Sequence, residues 1–167
     1  MSTARSEGIM SDSGEEIKVP SEVTVTVDAK KILVKGPKGQ VQRDFTHAGS
    51  IEIRKSKDGL IVRALSDRKR ARSLIMTLKT QISNMILGVT KGFTYKLKMA
   101  YSHFPISIKV DKDKGLVNID NFIGERYPRI ASIDGEVDIA VKGDDIIVSG
   151  SDKQSVGQTS TNIRRAC

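Results

Sequence analysis

The chain has 167 residues, with 28 Lys and Arg against 20 Asp and Glu. Its net charge of +8 favours a nucleic acid or an acidic membrane surface as partner. The alternative is a protein surface that is basic without binding either. The length allows one medium domain or two small ones, and the 4% aromatic content without Trp argues against a single-strand binder built on stacking platforms. The single cysteine, Cys167, excludes an intrachain disulfide and a Cys-based metal cage, and without a membrane-span or signal-peptide pattern we expect a reducing intracellular compartment.

The first half reads as a flexible tail followed by a series of strands. Residues 1–16 are rich in Ser, Gly and acidic residues, with too little apolar content to order themselves. From residue 17 onwards apolar and polar residues alternate, which is the period of a half-buried strand. The predicted strands contain residues 23–27, 32–34, 41–45, 51–53 and 60–62. Turns are predicted at Gly36-Pro37-Lys38-Gly39 and Lys57-Asp58-Gly59, because glycine accepts a positive φ without steric cost.

An amphipathic helix follows these strands. It is predicted from Asp67 to Leu87, with Ser66 or Asp67 as its cap and Gly88 as its stop. Its apolar residues recur at spacings of three and four: Ala71, Leu74, Ile75, Leu78, Ile82, Met85 and Ile86. Because this stripe must be buried on the preceding sheet, residues 17–90 are predicted to form a self-sufficient α+β unit.

The second half, residues 91–167, repeats the plan of the first. A linking strand is predicted over residues 93–101, and the alternation of residues 106–110 matches that of residues 23–27. Residues 116–117 correspond to residues 33–34. The remaining predicted elements are a strand at 137–141, the turn Gly143-Asp144-Asp145, a strand at 146–148 and a helix from Asp152. Five elements in the same order predict a duplicated fold, divided at residues 88–92.

Enzymatic sites find little support. Asp144 and Asp145 resemble the metal-binding turn of polymerases, but their place between two strands favours a solvated hairpin tip. His47 and His103 have no Cys, second His or strained Ser elbow to work with, so surface or packing roles are favoured, with an interface as the alternative for His103. The turn at residues 35–39 lacks the spacing of a phosphate loop and precedes a strand. We therefore predict no catalytic residue, no metal site and no cofactor.

Phosphate binding without catalysis is better supported. A helix start offers free backbone N–H groups and a partial positive charge, which suit an RNA phosphate. On the second helix the predicted RNA-binding residues are Lys153, Gln154, Gly157, Gln158, Arg164 and Arg165. The glycine removes a side chain where a nucleic-acid backbone would approach closely. The alternative is a short helix that packs through Val156, Thr159 and Ile163 and is otherwise only solvated.

Further basic residues are individually weaker candidates for RNA contact. They are Lys35, Lys38, Lys96, Lys98, Arg126 and Arg129. The first helix also starts with a basic run, Arg68, Lys69, Arg70 and Arg72. Charges opposite an apolar stripe are typical of any surface helix, so this run is not included in the predicted site.

Five ordered motifs spread over residues 16–165 resemble one known family. They are KGPKG at 35–39, YSHFPI at 101–106, NFIGER at 121–126, VKGDD at 141–145 and DKQSVGQ at 152–158. In this combination the chain resembles the large ribosomal subunit protein six family, known as protein nine in eukaryotic ribosomes. The wording of the second and third motifs fits both archaeal and eukaryotic members, and that of the fifth is closer to the archaeal form.

The resemblance implies a fold and a role. It implies two tandem duplicated α+β domains, each an antiparallel sheet with a packed helix, in a non-enzymatic structural protein of cytoplasmic ribosomes. Its partners would be large-subunit ribosomal RNA, near the docking region of translational GTPases, and neighbouring ribosomal proteins, with no membrane and no small-molecule substrate. In that family the second domain carries most of the RNA contact.

Two points remain open at this stage. Family members continue into a basic C-terminal tail, whereas this sequence stops at Cys167, so the chain is either truncated or lacks that tail. The alternative function is a free RNA-binding or ribosome-assembly protein that uses the same duplicated fold.

Overall fold

The computed structural model describes residues 14–28, 30–49, 51–56, 59–65, 68–100 and 103–167. In the first half these residues form β1 (Gly14–Lys18), β2 (Thr24–Asp28), β3 (Lys31–Gly36), β4 (Gly39–Asp44), β5 (Ile51–Lys55), β6 (Gly59–Ala64) and α1 (Lys69–Thr90). The five predicted strands and the predicted helix of this half are confirmed. The strand β1 was not predicted: Gly14, Glu15 and Glu16 were assigned to the flexible tail, but they pair with β6, so the tail prediction was wrong for these three residues. Residues 1–13 lie outside the described residues. The predicted turn residues Lys57 and Asp58 and the predicted caps Ser66 and Asp67 lie outside the described residues.

The second half contains a further six strands and a second helix among the described residues. They are β7 (Phe93–Lys98), β8 (Ser107–Asp111), β9 (Leu116–Asp120), β10 (Arg129–Ser132), β11 (Val137–Lys142), β12 (Asp145–Gly150) and α2 (Lys153–Ala166), with a short 3-10 turn at Phe122–Gly124. The strand β10 was not predicted. Its only buried side chain is that of Ala131, so it shows no apolar alternation.

The strand pairing of the two halves is the same, which confirms the duplicated α+β fold. Among the described residues the first half forms sheets in the orders β1-β6-β5 and β2-β3-β4, and the second half forms β7-β12-β11 and β8-β9-β10. The pairs β1·β6, β5·β6, β7·β12, β11·β12, β8·β9 and β9·β10 are antiparallel. Each half thus holds two three-stranded sheets, and β7 is the counterpart of β1.

The helix α1 continues two residues beyond its predicted stop. Gly88 lies inside the helix, and a Cβ atom at this position would stand 1.9 Å from the carbonyl oxygen of Ser151. The prediction of a helix end at Gly88 was therefore wrong: this glycine allows a close backbone approach. The helix ends at Thr90, where Gly92 takes a φ of +75° and donates its N–H to the carbonyl of Leu87 at 3.3 Å.

Apolar alternation and helical spacing place the buried side chains. In the first half the predicted helix stripe is buried except for Leu74, which is half-buried. In the second half one hydrophobic cluster contains Val117, Ile119, Ala131, Ile139, Ile146, Val148, Val156 and Ile163. The last two residues belong to α2, so this helix is attached by a narrow apolar stripe.

The described residues pack as two compact units. One takes in the described parts of Met1–Ser21, Val25–Leu33 and Gln42–Ser83. The other takes in Glu22–Thr24, Val34–Val41 and the described parts of Asn84–Cys167. None of the helices in the described ranges is long and apolar enough to cross a membrane. The predicted division at residues 88–92 stays a prediction.

Candidate nucleic-acid interface

The start of α2 is fixed by an N-cap. Asp152 has extended backbone angles, and its carboxylate accepts the backbone N–H of Gln154 at 3.2 Å and the hydroxyl of Ser155 at 3.2 Å. The carbonyl of Asp152 accepts the N–H of Val156 at 3.1 Å. The Asp152 carboxylate therefore already occupies one backbone N–H group of the first turn, that of Gln154.

One face of α2 is buried. Its inward residues are Val156, Thr159, Ser160 and Ile163, which recur at spacings of three and four. The hydroxyl of Thr159 accepts the N–H of Asp134 at 3.0 Å, and the hydroxyl of Ser160 donates to the carbonyl of Val156 at 2.8 Å. The packing of Val156, Thr159 and Ile163 is confirmed, and because the two polar side chains of this face are satisfied internally, the face is structural.

The other face of α2 carries the predicted RNA-binding residues. At 100° per residue, the positions turned farthest from the core are Gln154, Gln158, Thr161 and Arg165, and Lys153, Gly157 and Arg164 lie beside them on one flank of the helix. All of these are exposed except Gly157, which is half-buried. The helix contains three cationic residues and no acidic residue. The structure thus brings all six predicted helix residues onto one surface, which we call the α2 outer face.

Gly157 lies in the middle of the α2 outer face without a packing reason for being glycine. A Cβ atom there would meet the ring of Tyr95 at 3.6 Å, which is ordinary van der Waals distance. Glycine inside a helix costs about 1 kcal/mol relative to alanine. The fold therefore tolerates a side chain at this position, and the glycine keeps the outer face free for close approach.

Several residues of this surface are oriented by neighbours. The ammonium of Lys153 lies 5.8 Å from the ring centre of Phe93, and the amide of Gln158 donates to Asn162 at 2.9 Å. Arg164 and Arg165 stand in the last turn, where the helix dipole favours cations. Thr161 was missed by the sequence analysis. The helical period alone would have identified it, because it lies between Gln158 and Arg165 at spacings of three and four.

Lys96 and Lys98 lie on a different surface from the α2 outer face. Side chains alternate along β7, and Phe93 and Leu97 pack against the core that α2 also covers. The two lysines are exposed and point to the opposite face of the sheet. Lys98 is paired in register with Asp145 of β12, so its neighbour is acidic. The structure therefore does not bring these two residues together with the helix residues.

Lys38 supports the end of α1. Its backbone N–H donates to the carbonyl of Val89 at 2.9 Å, and its ammonium donates to the carbonyl of Lys91. The last turn of α1 contains no basic residue of its own, so Lys38 supplies the cation that the helix dipole favours there. Lys35 is exposed on β3, close to this turn in sequence.

Arg129 is held by three sets of contacts. Its guanidinium donates to both carboxylate oxygens of Glu125, at 2.9 and 2.7 Å, and to the carbonyls of Ala166 and Cys167, at 3.0 and 3.1 Å. It also lies 4.2 Å from the ring centre of Phe122. The hydrogen bonds from Arg129 lower the pKa of Glu125, and those to Glu125 raise the pKa of the guanidinium. Arg126 is exposed in the same loop.

The residues considered for enzymatic chemistry remain scattered. Asp144 lies in the turn between β11 and β12, and Asp145 begins β12, as the hairpin prediction implied. His47 and His103 are both exposed, and His47 is tilted against the ring of Phe45 at 6.3 Å. Across the described ranges, no three His, Cys, Asp or Glu residues are grouped so that they could hold a metal ion.

Comparison with known proteins gives a consistent result. A family model described as Ribosomal protein L6 matches residues 19–92 and 104–167. The chain is similar to the large ribosomal subunit protein uL6 of Staphylothermus marinus, with 48% identity over 153 residues, 91% of this chain and 83% of the relative. It is also similar to the uL6 of Aeropyrum pernix, with 45% identity over 91% of this chain and 82% of the relative. For the uL6 of Methanobrevibacter smithii the identity is 41%, over 91% of this chain and 84% of the relative.

Proposed function

Because this chain belongs to the ribosomal protein L6 family, as its motifs predicted, we propose that it is a structural, non-enzymatic component of the large ribosomal subunit that binds ribosomal RNA. It acts in cytoplasmic ribosomes, beside the RNA where translational GTPases dock, and its other partners are neighbouring ribosomal proteins. The observation that carries the proposal is the family match across both halves of the chain. In this proposal residues 17–90 form the first repeat, and residues 91–167 form the second repeat, which binds the RNA.

The α2 outer face is the main RNA contact in this proposal. It carries three cations, two amide side chains and no acid, and Gly157 leaves room for close approach. These groups bind phosphate and sugar oxygens and recognise RNA by shape, as suits A-form helices whose deep groove hides the bases. The start of α2 offers fewer free N–H groups than the sequence suggested, because the Asp152 carboxylate already accepts that of Gln154.

The other predicted RNA-binding residues divide into two groups. Lys35, Lys96, Lys98 and Arg126 are exposed and are proposed as additional phosphate contacts on separate surfaces. Lys38 and Arg129 support the C-terminal ends of α1 and α2, so any RNA contact of theirs must share their existing hydrogen bonds. We expect the second group to matter more for stability than for RNA affinity.

Co-sedimentation tests the proposed function. Full-length chain expressed in cells should migrate with large subunits through a sucrose gradient and remain there in a moderate-salt wash. If the chain is found only in free fractions, the proposal is wrong. If it is found only with immature particles, the chain is an assembly protein and not a component of the subunit.

Charge reversal tests the α2 outer face. Lys153→Glu combined with Arg164→Glu removes two cations, so the slope of log affinity for large-subunit RNA against log salt should fall by about 2. The control is Lys18→Glu combined with Lys55→Glu, two exposed residues on β1 and β5 that give the same change in net charge. An equal loss in both variants would show that only net charge matters, and circular dichroism melts would show that both remain folded.

A further inference from the structure

The loop between β9 and β10, residues 121–128, has a strained backbone. Asn121 and Ile123 have φ of 60° and 52°, and they are the non-glycine residues with positive φ among those the structure describes. Gly124 follows with a φ of 79°. Asparagine tolerates the left-handed region, but a β-branched residue such as isoleucine is a true outlier there. Strain of this kind persists only where the surroundings impose it, and it is typical of functional segments.

Contacts on both sides hold this loop in its strained form. The side-chain amide of Asn121 donates to the carbonyl of Pro105 at 3.0 Å. Phe122 lies beneath the guanidinium of Arg129, which forms the paired hydrogen bonds with Glu125. The loop is therefore a fixed structure.

The strained loop presents apolar side chains to solvent. Ile123 is 71% exposed and Tyr127 is 85% exposed, while the neighbouring Phe104 is 47% exposed. A Cβ atom on Gly124 would lie 3.4 Å from the Phe104 ring, so this aromatic ring stands beside the loop. Burial within this chain does not compensate for the strain at Ile123, because its side chain is turned outwards. An external partner would supply that compensation.

Charges around the loop cancel. Glu125 pairs with Arg129 at 2.7 Å, and Asp120, at the end of β9, pairs with Lys109 at 2.9 Å. Arg126 is exposed and forms no ion pair among the described residues. On a chain of net charge +8, the loop itself, residues 121–128, is thus nearly neutral with one free cation, while Lys98 and Arg164 line a cavity beside Phe122. Phosphate binding needs an excess of cations, whereas Tyr and Arg are enriched in protein–protein contacts and exposed apolar patches mark such contacts.

We propose that residues 121–128 are a docking surface for a second protein, with Ile123 and Tyr127 as apolar anchors. The partner presents an apolar socket with a carboxylate opposite Arg126. This inference rests on the proposed function in one respect, since that function makes the partner a neighbouring protein of the large subunit. RNA is the competing occupant, with Tyr127 stacked on an unpaired base.

Photo-crosslinking in assembled particles tests the proposal. Benzoylphenylalanine replaces Tyr127 in the full-length chain, and Lys142, an exposed residue of β11, is replaced in the same way as a control. We expect an adduct with one defined large-subunit protein from the Tyr127 position and not from the control. An adduct with RNA, the same protein adduct from both positions, or no adduct would overturn the docking surface. Absence of the chain from large subunits would overturn the proposed function as well, and the gradient shows this separately.

A second variant tests the role of the strain. Ile123→Gly removes an anchor but suits a φ of 52°, so the free chain should melt at an equal or higher temperature. The yield of the Tyr127 adduct should nevertheless fall by about tenfold, as expected for loss of an anchor residue. An unchanged yield would show that Ile123 is not part of the interface.

Discussion

Replacing two helical glycines by alanine should have opposite effects on stability. In Gly157→Ala the new methyl group stands 3.6 Å from Tyr95, so it fits without any shift. Alanine is favoured over glycine in a helix by about 1 kcal/mol, and the free energy of unfolding should rise by about 0.5–1 kcal/mol. In a chain of this size that corresponds to an increase in Tm of about 1–4 °C.

In Gly88→Ala the same gain in helix propensity is outweighed. The methyl carbon would stand 1.9 Å from the carbonyl oxygen of Ser151 and 3.0 Å from the ring of Phe93. A backbone oxygen cannot rotate away, so the helix or the strand end must shift. Overpacking of this kind costs about 1–3 kcal/mol, and more where the backbone resists. Because the obstacle here is a backbone oxygen, we expect a cost at the upper end, about 3 kcal/mol, and a net loss of about 2 kcal/mol after the propensity gain of about 1 kcal/mol.

The two variants separate stability from RNA binding when both are measured. Urea unfolding gives the free energies, and titration with large-subunit RNA at fixed salt gives the affinities. Gly157→Ala should bind RNA more weakly although it is more stable, because its methyl group stands on the α2 outer face. A stabilised Gly157→Ala with unchanged affinity would show that no RNA backbone approaches this glycine. Loss of stability in this variant would refute the packing argument itself.

Two further predictions concern the ends of the helices. The Glu125 carboxylate should titrate in NMR with a pKa below the ordinary glutamate range, and Arg129→Met should return this pKa to that range. Because the pKa of Glu125 is lowered in the folded state, its pair with Arg129 stabilises the fold at neutral pH, and this stabilisation is lost as the pH falls through the folded pKa. The difference in free energy of unfolding between the parent chain and Arg129→Met should therefore shrink in acid. Lys38→Met should lower the free energy of unfolding by about 0.5–1 kcal/mol in urea, through loss of the cation at the end of α1. Lys35→Met is the control, and an equal loss in both would rule out this helix-end contact as the cause.

Local patterns were enough to predict most of the strands and both helices. The alternation at Val23 and Val25 and the spacing of Ile75, Leu78 and Ile82 reflect burial on one side of an element, which any correct fold must satisfy. The strand β10 was not predicted from the sequence because its inward residue, Ala131, is small. Its weak pattern cannot be told from a loop without knowing that it pairs with β9.

Other features depend on which parts of the chain meet, and no local pattern encodes this. Gly88 matches a helix stop in sequence, and only the proximity of Ser151 shows why it is glycine. Lys38 and Arg129 look like free surface cations until the helix ends beside them are known. By contrast, the six predicted residues of α2 do share one surface, because the helical period is a property of the sequence alone.

The pairing of the first strand of each half with its last strand also affects the order of folding during synthesis. The strand β7 leaves the ribosome long before its partner β12, and β12 in turn pairs with β11, its immediate neighbour in sequence. The hairpin of β11 and β12 can therefore form as soon as both strands emerge, whereas β7 must wait as an unpaired edge. Pairing between distant segments is slow because the entropy of the long connecting chain is lost first. The nascent chain should therefore depend on chaperones most strongly in the interval between the synthesis of β7 and that of β12.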